Sequence, residues 1–263
     1  MRNGIKQYLT AAPRCSLVLA GFLLVATGCV QTGDVQPMRT ESGREQAKQA
    51  YIELGKGYLR EGLTGQAKTP LQSALKIDPS DAEAHEVLAL VFQQEMEPEL
   101  AEKHFRKALS SQRSARILNN YGSFLFEEGA YEKALEIYQE AAQDTMYPSR
   151  SWVFENMGLT ALKMGNDSEA MHYFERALRL DATQQRSLLE MGMLSYELRD
   201  YPAARHYYEA YMQQAEHNAR SLLLGARVAN VYQDRDEAAS LGLRLKQLYP
   251  ASPEYKAYLL EQR

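Results

Sequence analysis

The sequence predicts an all-α solenoid, a row of stacked helix–turn–helix units closed by a last short helix. Three observations carry that prediction. From Arg44 onward apolar residues recur at helical spacing, and almost nothing reads as strand. One pattern of large and small residues returns about every 34 residues, with copies starting near 48, 82, 115, 151, 185 and 219. Within each copy, small residues sit where two helices must touch, and large ones stand beside them.

The clearest copy runs from Tyr51 to Pro79. It places Tyr51, Leu54, Gly55 and Tyr58 on a first helix and Ala67, Leu71 and Ala74 on a second. Pro79 stops the second helix, and Asp81 is placed to cap the next. The second unit (82–115) carries His85, Leu88, Ala89, Phe92, Ala101, Phe105 and Ala108. Its Pro98 falls at a helix start, where a missing N–H costs little. The third begins at 115 with Leu118, Tyr121, Gly122, Leu125, Ala134, Tyr138 and Ala141, and an insertion follows, Asp144 to Pro148. The fourth (151–184) carries Phe154, Met157, Gly158, Ala161, Ala170, Phe174 and Ala177; the fifth (185–218) carries Leu188, Met191, Gly192, Ser195, Ala204, Tyr208 and Tyr211. The sixth (219–252) is degenerate, with Leu222, Gly225, Ala226, Ala229, Ala238, Gly242, Leu245 and Pro250. Ser252-Pro253-Glu254 opens a closing helix (253–263), whose Tyr255, Tyr258 and Leu259 would cover the last apolar face. These spacings resemble the tetratricopeptide repeat, which implies a superhelix of about six repeats over 47–263 plus a C-terminal capping helix.

The start of the chain reads differently. Arg2, Lys6 and Arg14 lead into an apolar run from Leu17 to Val25, followed by Ala26-Thr27-Gly28-Cys29. A basic lead, a short apolar run and small residues spell a secretory signal over 1–28. The run is too short for a membrane span, which needs about 20 apolar residues. The small residues before Cys29 resemble a bacterial lipoprotein signal, in which the cysteine is lipidated and becomes the first mature residue. Ala26 departs from that pattern, which prefers leucine there; the alternative is an ordinary signal followed by a structural cysteine. There are two cysteines, Cys15 and Cys29. With Cys15 lost and Cys29 lipidated, packing alone would stabilise the mature chain. Several acyl chains anchor firmly where one does not. Val30, rather than Asp, follows Cys29, which by the lipoprotein sorting rule favours the outer membrane. Residues 29–46 are polar and aperiodic and read as a tether.

Charge and motifs exclude several functions. The net charge is −4; Arg2, Lys6 and Arg14 are the only charges among the first 28 residues, so the remainder carries −7. An acidic protein of this kind is a poor nucleic-acid binder. The five histidines, His85, His104, His172, His206 and His217, include no pair with metal-ligand spacing within one helix. His172 and His206 stand 34 apart and read as exposed rungs. There is no phosphate-cradling glycine cluster, no nucleophile elbow and no free cysteine nucleophile. The expectation is a protein that is not an enzyme and needs no cofactor beyond lipid on Cys29.

What remains is a surface. By the resemblance to tetratricopeptide proteins, four positions of each first helix face the inner groove. They hold Ile52, Lys56 and Leu59 in the first unit, Glu86, Leu90 and Gln93 in the second, and Asn119, Ser123 and Phe126 in the third. Trp152, Glu155, Leu159 and Leu162 follow in the fourth, then Leu189, Met193 and Tyr196 in the fifth. This is an apolar stripe with charged edges. It either receives a peptide or amphipathic helix, or packs against itself across a tight superhelix. Asn120 and Asn156 share one register and resemble the asparagine ladder by which some such proteins hold a peptide backbone.

Lipoprotein signal, tether and six repeats together resemble the type IV pilus biogenesis lipoproteins of the PilF/PilW family over the whole chain. The stretches Leu118-Asn119-Asn120-Tyr121-Gly122-Ser123-Phe124-Leu125, Gly129-Ala130-Tyr131-Glu132-Lys133-Ala134 and Phe174-Glu175-Arg176-Ala177-Leu178 look especially like that family. The resemblance implies a monomeric pilotin on the periplasmic face of the outer membrane. Such a protein binds the secretin subunit and carries it to the site where the pilus pore assembles. The alternative is a general periplasmic scaffold that docks peptidoglycan enzymes or outer-membrane assembly factors.

Overall fold

The computed structural model describes residues 40–261. The signal over 1–28 and Cys29 lie outside these residues. The described residues form thirteen helices: α1 (Glu41–Arg60), α2 (Thr64–Ile77), α3 (Ala82–Gln94), α4 (Pro98–Ser111), α5 (Ala115–Glu127), α6 (Tyr131–Ala141), α7 (Arg150–Lys163), α8 (Asp167–Leu180), α9 (Gln185–Glu197), α10 (Tyr201–Met212), α11 (Ala219–Val231), α12 (Arg235–Leu248) and α13 (Pro253–Glu261). They make six helix pairs and a closing helix, the tetratricopeptide superhelix. The tether as read from sequence is too long at its C-terminal end. Thr40 accepts a hydrogen bond from Gly43 N at 2.9 Å and caps α1, so residues 41–46 are helical.

The turn inside each pair is built the same way six times. One residue adopts a left-handed conformation: Gly62, Met96, Gly129, Gly165, Arg199 and Gln233. The next residue donates its N–H to a carbonyl five positions back, at 2.9 Å in every case, from Leu63 to Tyr58 through Asp234 to Ala229. This is the Schellman closure, which satisfies carbonyls that a helix end leaves free. Between pairs, Asp81, Ser114 and Asn218 cap the helices that follow, by accepting from Ala84, Ile117 and Ser221 backbone N–H groups. Pro98 stands at the first position of α4.

The small residues of the repeat mark the helix crossings. A Cβ on Gly55 would fall 2.6 Å from Leu71, on Gly122 2.6 Å from the Tyr138 ring and on Gly158 2.5 Å from the Phe174 ring. Only glycine admits that approach. Leu54 is a correction: the repeat pattern places it beside the helix contact as a packing residue, yet it is 48% exposed. Its counterparts Leu88, Tyr121, Met157 and Met191 are buried. That register packs on the unit before, and among the described residues no helix precedes α1.

Candidate functional groove

The first helices carry buried carboxylates, each tied to the first helix of the next unit. Glu86 on α3 is fully buried; it accepts from Asn120 Nδ2 on α5 at 2.7 Å and pairs with Arg116. Glu155 on α7 accepts from Ser187 N at 3.1 Å and Ser187 Oγ at 2.8 Å on α9. Glu190 on α9 takes both arms of Arg220 on α11, at 2.5 and 2.8 Å. Burial pushes the carboxyls of Glu86 and Glu155 above the usual range, because their few donors only partly replace water. These pairs join one unit to the next.

Between them lies open surface. A cleft of about 490 Å³ is lined by first helices alone, through Phe126, Leu159, Leu162, Lys163, Arg186, Glu190 and Arg220. A second, of about 310 Å³, adds Ser123 and Asn156 to Phe126, Leu159 and Arg186. A third, of about 340 Å³, runs past Trp152, Glu155, Gln184 and Arg186. Arg186 borders all three. Trp152 is 54% exposed at the rim. The surface can hold a peptide by apolar contact and charge. Among the described residues no group of three or more His, Cys, Asp or Glu side chains is placed to hold a metal ion, and no helix is long and apolar enough to cross a membrane.

The structure sorts the sequence-predicted groove residues into three groups. Phe126, Leu159 and Leu162 come together on the 490 Å³ cleft. Leu59 and Leu90 are half-buried and pack against the cores of their own repeats. The others are engaged inside the fold. Ile52 is a correction: it is fully buried with Ala74 and Ala84, because its side of α1 faces α2 and α3 rather than the groove. Lys56 pairs with Glu53 at 2.8 Å and with Glu83. Gln93 donates to Glu127 at 2.6 Å. Asn120 and Asn156 do not form a free ladder: Asn120 gives its N–H to Glu86, and Asn156 gives one to Asn119 Oδ1 at 3.1 Å. Glu86 and Glu155, expected on the inner groove, are buried links.

The sequence reading missed Arg186, Glu190 and Arg220. The signal was present as an arginine at the second residue of α5, α9 and α11, with an acid 30 positions before two of them. His85 and His104 were also missed as a pair: their Nδ1 atoms lie 3.0 Å apart. His172 and His206 are exposed, as expected, each against a neighbouring tyrosine ring.

Comparison with known proteins places this geometry. The tetratricopeptide repeat family matches residues 113–183. The type IV pilus assembly protein PilF of Pseudomonas aeruginosa is 54% identical over 244 residues, 92% of this chain and 97% of that protein. A solved structure of Pseudomonas aeruginosa PilF superposes with a TM-score of 0.81 at 55% identity, covering 83% of this chain and 99% of the solved one. PilW, a widely conserved type IV pilus biogenesis factor, superposes with a TM-score of 0.70 at 27% identity, covering 81% and 99%. With the helix pairs, the closing helix and the extent of this identity in agreement, the chain belongs to the PilF family of tetratricopeptide type IV pilus assembly proteins.

Proposed function

We propose that the chain is a lipid-anchored pilotin. It binds the secretin subunit of the type IV pilus machine in the periplasm. Lipid on Cys29 then carries that subunit to the outer membrane, where the secretin multimerises into the pore for pili. The observation that carries this reading is the open groove over repeats three to six, in a chain of a pilus assembly family. A surface that presents Phe126, Leu159, Leu162 and Trp152 suits a peptide or amphipathic helix. The lipoprotein-like residues before Cys29 supply the membrane half of the task. The mechanism is binding and localisation, with no bond made or broken.

The test separates the two halves. Cys29→Ala should leave a folded domain that still binds secretin but misplaces its multimers, read by separating inner and outer membranes and blotting for the multimer. Normal outer-membrane multimers in that variant would remove the lipid-transport step. Leu162→Asp should keep its melting temperature within a few degrees and lose secretin in a pull-down. Unchanged capture would remove the groove, and capture of peptidoglycan enzymes in place of secretin would favour the general scaffold.

A further inference from the structure

One arginine in the groove makes no ion pair among the described residues, although its counterparts do. Arg116, Arg186 and Arg220 each occupy the second residue of a first helix. Thirty residues before Arg116 stands Glu86, and thirty before Arg220 stands Glu190; both carboxylates are buried on the guanidinium. The same step back from Arg186 reaches Asn156, but the fourth-unit counterpart of Glu86 is the residue before it, Glu155, whose charged form Arg186 favours without an ion pair. The neighbouring acid, Glu155, accepts from Ser187 N and Oγ. Arg186 is exposed and has no ion pair among the described residues.

Gln184 is 3% exposed and accepts from Ser187 Oγ at 3.4 Å through its Oε1. Its Nε2 is buried without an acceptor, and the residue lines the cleft that holds Trp152 and Arg186. That nitrogen is itself closed to an incoming group, so the exposed guanidinium of Arg186 is the donor that a ligand in this cleft can reach. Beside Arg186, the larger cleft offers an apolar floor of Phe126, Leu159 and Leu162, with Lys163 at its edge.

We propose that this part of the groove takes a peptide segment in which an acidic side chain stands beside a large apolar one. The carboxylate pairs with Arg186. The apolar side chain seats on Phe126, Leu159 and Leu162, and Trp152 closes the rim. A guanidinium meets a carboxylate through two parallel N–H···O bonds, which fixes direction as well as charge. Arginine and tryptophan beside an apolar pocket are the residues that most often dominate a binding surface. The rest of the chain is acidic overall, so this local cationic site selects where an acidic segment lands. The inference names the partner chemistry of the proposed groove and rests on that reading for the groove's use.

Trp152 is the only tryptophan in the chain, so its emission reads the site directly. The full-length protein in detergent would be titrated with an amphipathic peptide of leucine and glutamate, with its leucine–lysine counterpart, and with overlapping peptides that cover the secretin subunit. The glutamate peptide should shift the emission and the lysine peptide should not. Arg186→Glu should weaken the glutamate peptide about tenfold or more and admit the lysine peptide, with an unchanged circular dichroism spectrum. Arg186→Lys should retain part of the affinity. Equal binding of both peptides to wild type, or an Arg186→Glu variant that binds as wild type does, would overturn the inference. Secretin peptides that bind wild type and Arg186→Glu alike would overturn it too, yet leave the pilotin reading standing. A glutamate peptide that binds at Trp152 while no secretin peptide does would support the site and count against the pilotin reading alone.

Discussion

Gly122 and Gly158 set the distance between the two helices of their repeats. The rings they face, Tyr138 and Phe174, are 1% and 0% exposed, and Tyr138 is further held by its hydroxyl donating to Ser123 Oγ at 3.0 Å. A ring so enclosed cannot withdraw from a new methyl group. Gly122→Ala or Gly158→Ala should therefore destabilise by about 1–3 kcal/mol even though alanine is the better helix former. Each kcal/mol should lower the melting temperature by about 2–4 °C for a domain of this size. Gly65→Ala is the control. Nothing lies within 4 Å of its added Cβ, so stability should stay level or rise by up to about 1 kcal/mol. Thermal melts followed by circular dichroism compare the three; equal losses at all of them would remove the crossing argument. The crossing glycines were legible in sequence because they recur at one register. Ile52 was not, because the repeat pattern does not show that its contacts are Ala74 and Ala84 on the helices behind α1.

The helix pair α3–α4 holds a titrating clasp. His85 Nε2 donates to the Pro79 carbonyl at 3.0 Å, so its Nδ1 is the acceptor for the His104 Nδ1–H. Burial, first of all, holds both imidazoles below their ordinary value of 6.5, His104 down to about 4. On His104, the charge of His85 and then Lys107 and Lys103 act in the same direction; near His85, Lys107 does too, while Asp81 and Asp78 oppose it. The folded value lies below the unfolded one. The clasp's contribution is therefore whole above pH 6.5 and is lost as pH falls from there toward 4. Wild-type melting temperature should drop across that window, and His104→Phe should show a shallower drop whatever its absolute stability. Parallel pH profiles for the two proteins would refute the clasp. The pair escaped the sequence reading because its members stand 19 residues apart on two helices. Spacing rules test one helix at a time, and the α3–α4 turn is what brings the rings together.

Across the whole molecule, stability is distributed along a line. The largest set of buried apolar side chains runs continuously from Ala82 to Leu194, and smaller sets sit at either end. Each unit contacts its neighbours, so opening should begin at the ends. The closing helix limits this at the C-terminus. Tyr255 and Tyr258 pack on the cluster of Leu222, Leu241 and Leu245, and Glu261 receives both arms of Arg227. Deleting residues 253–263 should cost about 2–4 kcal/mol locally through exposed apolar surface. Hydrogen exchange should then accelerate in α11 and α12 while α5 to α8 keep their protection. A uniform acceleration along the chain would show one cooperative block instead of a solenoid.

The period of large and small residues, read by itself, determined the six helix pairs, the closing helix and the places where helices touch. Those features depend on contacts inside one unit or between units in fixed register, and a one-dimensional pattern contains them. Which inner-face residues are free was decided only by the tertiary structure. In a superhelix that face is shared with the next unit's first helix, so a polar side chain there is spent or available according to the residues it meets on that helix. Glu86 and Glu190 are spent on Arg116 and Arg220. Arg186 has Glu155 at the matching position, but that carboxylate accepts from Ser187 N and Oγ, and Arg186 stays exposed without an ion pair among the described residues.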